Sequence, residues 1–594
     1  MLQTPPRGQQ GRTRAMRKGA VLSADGETAT GTTCSMASAA DSPDLISGGK
    51  RRRRQRPAAM VATAIVFAAA IVLVVSCSVL ATTSRHQRAM TVWRWKRRLQ
   101  LKARMLLRRG STLKRTSTNH RQLQGPRPWY ETGSPGYDSI RGYPCYRTVE
   151  GTFATMDDMV EQYPNLAQVS TIGQSYLGED IRVLKLTNSE SPIPDRRRGK
   201  MVALFGVHSR ELGPPELGVR FAEWLLDGFD KDADRTWVLD YNVIHLLLIA
   251  NPDGRMITED NPEAYHRKNG NDKNNNGRRC SGEFRQSGVD LNRNYAFMWG
   301  LDDGSSSNPC DETYRGPRPQ SEPETRAIVK LGRKVFPRGQ RRKRAESKYF
   351  RPLVSRSKGI FVDVHSFGNL LVFPWSWTRN ERVPGANWDA YQQLTGKLSN
   401  YNGYDPSASG LSTFMYETSG DSVDYFHGKV GVASVLFEIG DAFLQDCDTF
   451  DSTIVGDNIP ALFYAAKVSR NPLKTPGGID VKKVTFDSSG QTLFVTIEME
   501  GPNVFSLVAD EIMLFIDSHP YDRPTPKYEL MSPTIPSRAA GRVDTTNLAA
   551  GRHTACIQVK DRQSVAGAVT CAYFDVRPTA NKEASHRHSQ RFVN

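Results

Sequence analysis

The feature that most constrains the fold is a repeated pattern in which an apolar, strand-like run ends in a polar motif. These runs alternate with helical stretches, and such alternation is typical of an α/β layer whose ligands gather outside the carboxyl ends of the strands. We therefore predict an α/β domain with its functional residues at one edge of a sheet. The predicted strands are Met201–Val207, Val243–Ala250, Ile360–Val364 and Ser434–Phe437, and the predicted helices are Pro215–Asp227 and Glu322–Lys334.

Three of the polar residues at these ends are suited to binding one metal ion. His208 and Glu211 follow the first run and are three residues apart, so both side chains can point at the same ion. Catalytic zinc takes three protein ligands and keeps a fourth position open, so a third ligand must come from elsewhere. His365 emerges from another apolar run and fits that place. A further run ends in Glu438, an unusual residue there because burying an unpaired carboxylate is costly.

Together these motifs resemble those of the zinc metallocarboxypeptidases, in the digestive A/B branch and its bacterial relatives, over roughly residues 137–468. The segments that carry the resemblance are HSRE at 208–211, NPDG at 251–254, DLNRNY at 290–295 and FEIG at 437–440. The resemblance implies a mixed central sheet flanked by helices and one Zn²⁺ per catalytic domain. It also implies hydrolysis of the C-terminal peptide bond of peptides or proteins.

The resemblance assigns the catalytic roles. It makes His208, Glu211 and His365 the zinc ligands. Glu438 would take a proton from the zinc-bound water and deliver it to the leaving amine. Residues around these would assist: Asp290 would orient His208, and Arg267 would polarise the scissile carbonyl.

A second group of residues would bind the end of the substrate. Asn292 and Arg293 match the pair that grips the free α-carboxylate, which an arginine fork binds bidentately. Tyr416 matches a mobile tyrosine that closes over the substrate, and Arg210 resembles a secondary carboxylate-binding position.

The specificity pocket is predicted to be apolar. Val423 occupies the position of its floor, which favours hydrophobic C-terminal residues. Asp421 lies two residues away, at a position linked in some bacterial relatives to broad acceptance, so we expect Lys and Arg to be tolerated.

The charge distribution argues against nucleic-acid binding by the folded part. Residues 1–135 hold 25 Lys or Arg against 5 Asp or Glu, whereas the remainder holds 55 against 57. The basic charge therefore belongs to the N-terminal segment.

The run 58–83 is uncharged and long enough to cross a bilayer as a helix. A signal-peptide h-region is the alternative, and basic residues flank the run on both sides, so the charge rule does not decide its orientation. We expect a type II membrane protein with an extracytosolic catalytic domain, or a secreted protein if the run is cleaved.

Cysteine spacing favours an oxidising compartment. None of the eight cysteines lies in a Cys-x-x-Cys pair, and the six after the apolar run form an even set. Cys280 and Cys310 flank one long polar loop, which we predict to be closed by a disulfide. Cys556 and Cys571 could join adjacent strands further along.

After Pro472 the pattern changes to short alternating strands, which predicts an antiparallel β-sandwich of about 100 residues. We interpret it as an independent appendage that serves stability or contacts a surface or glycan. The predicted strands are Val481–Phe486, Thr492–Glu500, Glu511–Ser518, Thr554–Lys560 and Ala568–Val576.

The chain is thereby divided into six segments. They are a disordered basic tail (1–57), a transmembrane signal-anchor or signal h-region (58–83), a basic linker or pro-segment (84–136), the catalytic domain (137–468), the β-sandwich (475–578) and a disordered tail (579–594). Within the catalytic domain, the basic stretch 336–358 is predicted to be an exposed insertion.

Two other hypotheses stay open. A catalytically silent carboxypeptidase-like binding or adhesion protein would be favoured by loss of a metal ligand or of Glu438, and none of these residues is lost. A peptidoglycan-directed zinc peptidase would have no need of Asn292, Arg293 and Tyr416 for a free α-carboxylate.

Overall fold

The computed structural model describes residues 137–273, 280, 286–336, 353–354, 357–408, 416–489, 492–500, 509–521, 528–529 and 537–577. The predicted segments 1–57, 58–83, 84–136 and 579–594 lie outside the described residues, as does most of the basic stretch 336–358. In the part of the chain that is described, every helix is too short or too polar to cross a membrane.

The first part of the fold is built around one large sheet and a small hairpin. Its strands are β1 (Ser139–Ile140), β2 (Tyr143–Arg147), β3 (Ala167–Gln174), β4 (Asp180–Leu186), β5 (Gly199–Phe205), β6 (Asn242–Leu247), β7 (Ile360–His365), β8 (Leu370–Phe373), β9 (Asp405–Ala408) and β10 (Ala433–Glu438).

The large sheet is mixed and has eight strands in the order β3-β4-β6-β5-β7-β10-β8-β9. Its centre, β6-β5-β7-β10, is entirely parallel, whereas β4 pairs antiparallel with β6 and β8 pairs antiparallel with β10. Every residue of β7 is buried. Central parallel strands are covered on both faces, and this explains why they are continuous apolar runs in the sequence.

Helices cover this sheet. The α-helices are α1 (Val149–Gln162), α2 (Gly213–Asp227), α3 (Ala233–Tyr241), α4 (Pro252–Asp260), α5 (Pro323–Val335), α6 (Gly385–Asn402), α7 (Ser422–Tyr425), α8 (Cys447–Thr449) and α9 (Val455–Val468). Single π-helical turns lie at Phe426–Val430 and Phe450–Ile454, and short 3₁₀ turns lie at Asp195–Arg197, Pro262–Ala264, Leu291–Arg293, Asp302–Gly304 and Thr475–Gly477. The predicted mixed sheet flanked by helices is confirmed.

The C-terminal part is a β-sandwich of two antiparallel sheets. Its strands are β11 (Asp480–Ser489), β12 (Thr492–Glu500), β13 (Ala509–Ile516), β14 (Tyr528–Glu529), β15 (Arg538–Asp544), β16 (Gly551–Asp561) and β17 (Thr570–Val576). One sheet has the order β11-β12-β15 and the other β14-β13-β16-β17. Apolar residues from both sheets share one buried core, in which Val495 and Ile497 face Leu514 and Ile557. The five predicted C-terminal strands are present, and β14 and β15 are additional ones.

Three disulfides staple the described residues. Both predicted pairs are formed, Cys280–Cys310 and Cys556–Cys571, the latter between residues directly opposite each other on β16 and β17. A third pair, Cys145–Cys447, joins β2 to α8 across 302 residues of sequence. It fixes the start of the domain beside the loop that follows Glu438.

Candidate metal centre and active site

The register of the parallel strands brings the polar motifs to one edge of the sheet. In the pairing of β7 with β10, Glu438 is the partner of His365, so both residues lie at the same height. Phe205 of β5 is aligned with Val364 of β7, which places the loop with His208 and Glu211 next to them. The predicted convergence at the carboxyl ends is confirmed.

His208, Glu211 and His365 form a buried group with metal-ligand geometry. One ligand atom from each residue lies within 4.8 Å of the other two. The Nδ1 atom of His208 is 2.7 Å from Oε1 of Glu211, and Nδ1 of His365 is 3.1 Å from Oε2 of the same carboxylate. Nearby His208 and His365 lower the pKa of Glu211 well below its usual value, although burial alone would raise it.

Each imidazole has a carboxylate beside its other ring nitrogen. Nε2 of His208 is 3.2 Å from Asp290, as the resemblance implied, and Nε2 of His365 is 3.2 Å from Asp363. Such outer carboxylates fix the tautomer so that Nδ1 is free for the metal. Burial would lower the pKa of His365, but Asp363 and Glu211 raise it well above its usual value.

Arg267 lies beside the metal-binding group and is held by Asp290. Its Nε donates to Oδ2 of Asp290 at 3.0 Å, and its Nη1 is 3.8 Å from Glu211. The pKa of Asp290 is held well below its usual value: burial alone would raise it, but the positive charge of Arg267 and the neighbouring His208 outweigh that effect. One carboxylate therefore positions both an imidazole and a guanidinium.

Glu438 is half-buried at the end of β10 and faces the same group. Burial raises the pKa of its carboxyl to about 8, and the negative charge of Glu211 adds to this, while His365 and Arg267 oppose it. A carboxylate whose pKa lies near neutrality can both accept and return a proton.

The three residues predicted to bind the substrate carboxylate contact one another. Arg293 donates from Nη1 to the carbonyl oxygen of Asn292 at 2.8 Å and from Nη2 to the hydroxyl of Tyr416 at 3.1 Å. Tyr416 is 53% exposed, whereas Asn292 and Arg293 are buried. The hydroxyl of the exposed Tyr416 thus rests on a buried guanidinium.

Arg210, which lies between His208 and Glu211 in the sequence, is buried and paired. Its Nη1 is 2.5 Å from Oε1 of Glu312, and its guanidinium stacks 4.0 Å above the ring of Phe443. The pairing with Glu312 was not predicted, because the two residues are about a hundred positions apart in the chain.

The residues of the predicted pocket floor are buried. Val423 packs with Leu370, Val372 and Leu436 in a small apolar cluster. The carboxylate of Asp421 caps α7 by accepting from the backbone N–H of Asp424 at 2.8 Å, and it also accepts from the hydroxyl of Thr418 at 2.8 Å.

Comparison with known proteins identifies the family of this site. The sequence profile of the zinc carboxypeptidases matches residues 152–450, half of the chain, and this range contains every residue of the site. The chain belongs to the zinc carboxypeptidase family.

Individual relatives are more distant. The chain is 28% identical to carboxypeptidase A1 of Rattus norvegicus over 304 residues, which are 51% of this chain and 64% of that protein. It is 29% identical to carboxypeptidase A5 of Homo sapiens over 303 residues, 50% of this chain and 61% of that protein. The chain thus spans less than two thirds of the length of these curated relatives.

Among solved structures, the crystal structure of thrombin activatable fibrinolysis inhibitor (TAFI) is similar with a TM-score of 0.44 and 23% identity, covering 55% of this chain and 75% of that one. Carboxypeptidase A from Helicoverpa armigera matches with a TM-score of 0.44 and 20% identity, covering 63% and 81%.

Zinc is the metal of the zinc carboxypeptidase family, and the residues present fit it. Two imidazole nitrogens and one carboxylate are a donor set that catalytic zinc takes, with a fourth position left open. Both imidazoles have the carboxylate partners that such a site requires, Asp290 and Asp363.

Asp363 was not predicted from the sequence to be the carboxylate partner of His365. The signal was present, because Asp363 is a charge inside an otherwise apolar strand and lies two residues before His365. A charged residue in a fully buried strand needs a partner, and alternate residues of a strand share a face.

Proposed function

We propose that this chain is a zinc-dependent metallocarboxypeptidase that removes the C-terminal residue of peptides or proteins. The observation that carries the proposal is the convergence of the His208–Glu211–His365 group, Glu438 and the Arg293–Tyr416 pair on one edge of the sheet. A metal group alone would suit any zinc peptidase. A guanidinium within the same site binds a free α-carboxylate and so selects the C-terminal end of a peptide.

A zinc ion bound by these three ligands supplies a Lewis acid that lowers the pKa of water and polarises a carbonyl. Glu438 is the residue that accepts the proton of the attacking water and returns it to the leaving amine. Its half-buried position supports this role, because burial brings its pKa to about 8. Arg267, fixed by Asp290, donates to the carbonyl oxygen as negative charge develops on it.

The substrate carboxylate is bound by Arg293 and Asn292, with Tyr416 closing over it. In the free protein the Tyr416 hydroxyl accepts from Nη2 of Arg293, so an entering carboxylate displaces one weak partner rather than a buried ion pair. Hydrogen bonds between a guanidinium and a carboxylate, in which both partners are charged, are stronger than the single bond to a neutral hydroxyl that they replace.

The pocket prefers hydrophobic C-terminal residues and tolerates Lys and Arg. The apolar cluster around Val423 supports the first part. Asp421 supports the second, although its carboxylate already accepts two hydrogen bonds, so its influence on a basic side chain acts through charge. We expect kcat/KM for a C-terminal Phe to exceed that for Arg.

The site works in an extracytosolic compartment, which the three disulfides support. The run 58–83 serves as a membrane anchor, or the protein is secreted after its cleavage. The β-sandwich stabilises the catalytic part, or it binds a glycan or another surface outside the protein.

The proposal is tested by mass spectrometry of a peptide library incubated with the full-length protein, with and without a zinc chelator. We expect removal of single C-terminal residues from free-tail peptides only. Glu438→Gln should lower kcat/KM by about 10²–10⁴-fold while zinc binding is retained, since it removes the proton acceptor alone.

Replacement of the exposed Glu161 by Gln is the matched control and should leave kcat/KM unchanged. Bound zinc without trimming would contradict the proposal and favour the binding-protein hypothesis. Equal cleavage of amidated and free-tail peptides would show that the guanidinium does not select chain ends.

A further inference from the structure

Behind the metal-binding group, two residues without an assigned role connect it to the substrate-binding residues. Asp363 lies 3.2 Å from Nε2 of His365 through Oδ1, and its Oδ2 accepts a hydrogen bond from the hydroxyl of Ser422. The backbone N–H of Ser422 donates to Oδ1 of Asn292 at 2.9 Å. Asn292 closes the circle by contact alone: its Nδ2 lies 3.4 Å from Nε2 of His365, and both atoms are donors, so they pack against each other without a hydrogen bond.

The four residues come from three different elements and are all buried. Asp363 and His365 are alternate residues of β7 and therefore share one face of the strand. Ser422 is the first residue of α7, whose start is fixed by the cap from Asp421, and Asn292 lies in the 3₁₀ turn Leu291–Arg293. A movement of any one of them must be accommodated by the other three, since a packed interior leaves no room for independent shifts.

Ser422 has a special place in this circle because it uses two donors in two directions. Its hydroxyl orients the carboxylate beside a metal ligand, and its N–H orients the amide beside Arg293. Because Oδ1 of Asn292 accepts from this N–H, the orientation of the amide is fixed. Its NH₂ group is then the part of the side chain that can donate to a ligand.

We propose that Asp363 and Ser422 are positioning residues that couple the metal-binding His365 to the carboxylate-binding Asn292. The part concerning Asn292 rests on the proposed function, whereas the part concerning His365 does not. Asp363 holds the His365 ring with Nδ1 toward Glu211, and Ser422 holds both Asp363 and Asn292. The two halves of the site are thereby kept in one fixed relation.

The first test measures the zinc affinity of the full-length protein by competition with a chromophoric chelator, using zinc alone. Asp363→Asn keeps the shape of the side chain and removes its charge, and we expect zinc to bind about 10- to 100-fold more weakly. Ser422→Ala should weaken zinc binding in the same direction by a smaller factor, about threefold or more.

Ser469→Ala is the matched control. Ser469 is also fully buried and donates its hydroxyl to a side chain, Oδ1 of Asn242 at 2.9 Å, but it belongs to neither half of the site. Its zinc affinity should stay within about twofold of the wild type. The free energy of unfolding of the metal-free proteins, measured in urea, separates a loss of positioning from a general loss of structure.

The second test measures coupling. If Ser422 acts on the metal through Asp363, the double variant Asp363→Asn/Ser422→Ala should bind zinc no more weakly than Asp363→Asn alone, within about twofold. Ser422→Ala should also raise KM for free-tail peptides, because it loosens the turn that orients Asn292.

Zinc affinities of Asp363→Asn and Ser422→Ala equal to that of the wild type would overturn the inference. Multiplicative effects in the double variant would overturn the coupling. If Asp363→Asn does not fold, the comparison of Ser422→Ala with Ser469→Ala decides. A wild type that binds zinc but trims no peptide would refute the proposed function, and the zinc affinities would still decide the role of Asp363.

Discussion

One buried carboxylate outside the active site, that of Glu324, is expected to make the stability of this protein depend on pH. Glu324, in the first turn of α5, is fully buried and accepts from the backbone N–H of Tyr176 at 2.8 Å. Burial raises the pKa of its carboxyl to about 8, and the negative charge of nearby Asp253 adds to the shift. The folded protein therefore favours the protonated form of Glu324 over most of the physiological range.

The sign of the resulting pH effect follows from the two pKa values. The pKa of Glu324 rises from 4.5 to about 8 on folding. The contribution of this group to the free energy of unfolding is therefore fully present below pH 4.5 and is lost as the pH rises toward 8. The side chain in Glu324→Gln stays neutral at every pH. Between pH 5 and pH 8 the free energy of unfolding of the wild type should therefore fall by a few kcal/mol more than that of this variant, as the size of the pKa shift implies. Urea unfolding of chelator-treated protein at both pH values measures the difference. The exposed Glu161→Gln should behave as the wild type, and equal losses in Glu324→Gln and wild type would disprove the assignment.

At the scale of elements, one helix cap connects the loops that carry the active-site residues. Asn251 caps α4 by accepting from the backbone N–H of Gly254 at 3.0 Å. Its NH₂ group donates to the carbonyl oxygens of Val207 and Lys268, both at 3.1 Å. These two residues directly precede His208 and follow Arg267, so a single buried amide sets the distance between a proposed metal ligand and the proposed electrophile.

Asn251→Asp should separate capping from bridging. The carboxylate still caps α4, but it places an oxygen against two carbonyl oxygens and loses both donors, so we expect a cost of about 2–3 kcal/mol in unfolding free energy. We also expect kcat/KM to fall at least about tenfold, because the reacting groups lose their alignment. The comparison is Asp232→Ala, which removes a cap of α3 far from the site. That variant should cost about 1 kcal/mol and leave kcat/KM unchanged. Equal costs for the two variants would show that the bridging bonds add nothing.

The elements that could be predicted from sequence are those whose periodicity is set by burial. The runs that became β5, β6, β7 and β10 are apolar because both faces of the sheet are covered, and their ends are marked by polar residues. The strand Arg538–Asp544 could not be predicted from its residues: it alternates exposed and buried positions, but small residues occupy most of the buried ones.

Contacts between distant parts of the chain could not be predicted from the sequence either. The proposed metal ligands could be predicted because several motifs occur together and resemble those of a known family, whereas a single His-x-x-Glu pair is common by chance. The disulfide Cys145–Cys447, the pair Arg210–Glu312 and the link from Ser422 to Asp363 depend instead on how separate loops pack.

At the scale of the whole molecule, the sandwich and the catalytic part are joined by buried polar contacts. Asp480, at the start of β11, accepts from Nζ of Lys397 at 2.7 Å, from the hydroxyl of Tyr464 at 2.9 Å and from the backbone N–H of Ala568 at 2.7 Å. Lys397 belongs to α6 and its side chain is only 4% exposed. The ring of His519 stacks on Trp237 and Tyr241 of α3 at a second point of contact. The two parts therefore form one packed body along these helices.

The consequence is that the interface should behave like a protein core. Asp480→Ala leaves the buried ammonium group of Lys397 without its carboxylate partner, although it still donates to the carbonyl oxygen of Glu500 at 3.0 Å. The uncompensated charge should cost about 3–5 kcal/mol in unfolding free energy. The matched control at the same interface is Asp230→Ala, which breaks an exposed pair with Arg552 at 2.5 Å. It should cost about 1–2 kcal/mol, which includes the strain of an alanine at the φ of 60° of this residue. Adding Lys397→Met to Asp480→Ala should recover part of the loss, since the unpaired charge is then gone. Urea unfolding followed by tryptophan fluorescence measures all four proteins. Similar costs for Asp480→Ala and Asp230→Ala would mean that the sandwich is held loosely and that its docking contributes little to the stability of the catalytic part.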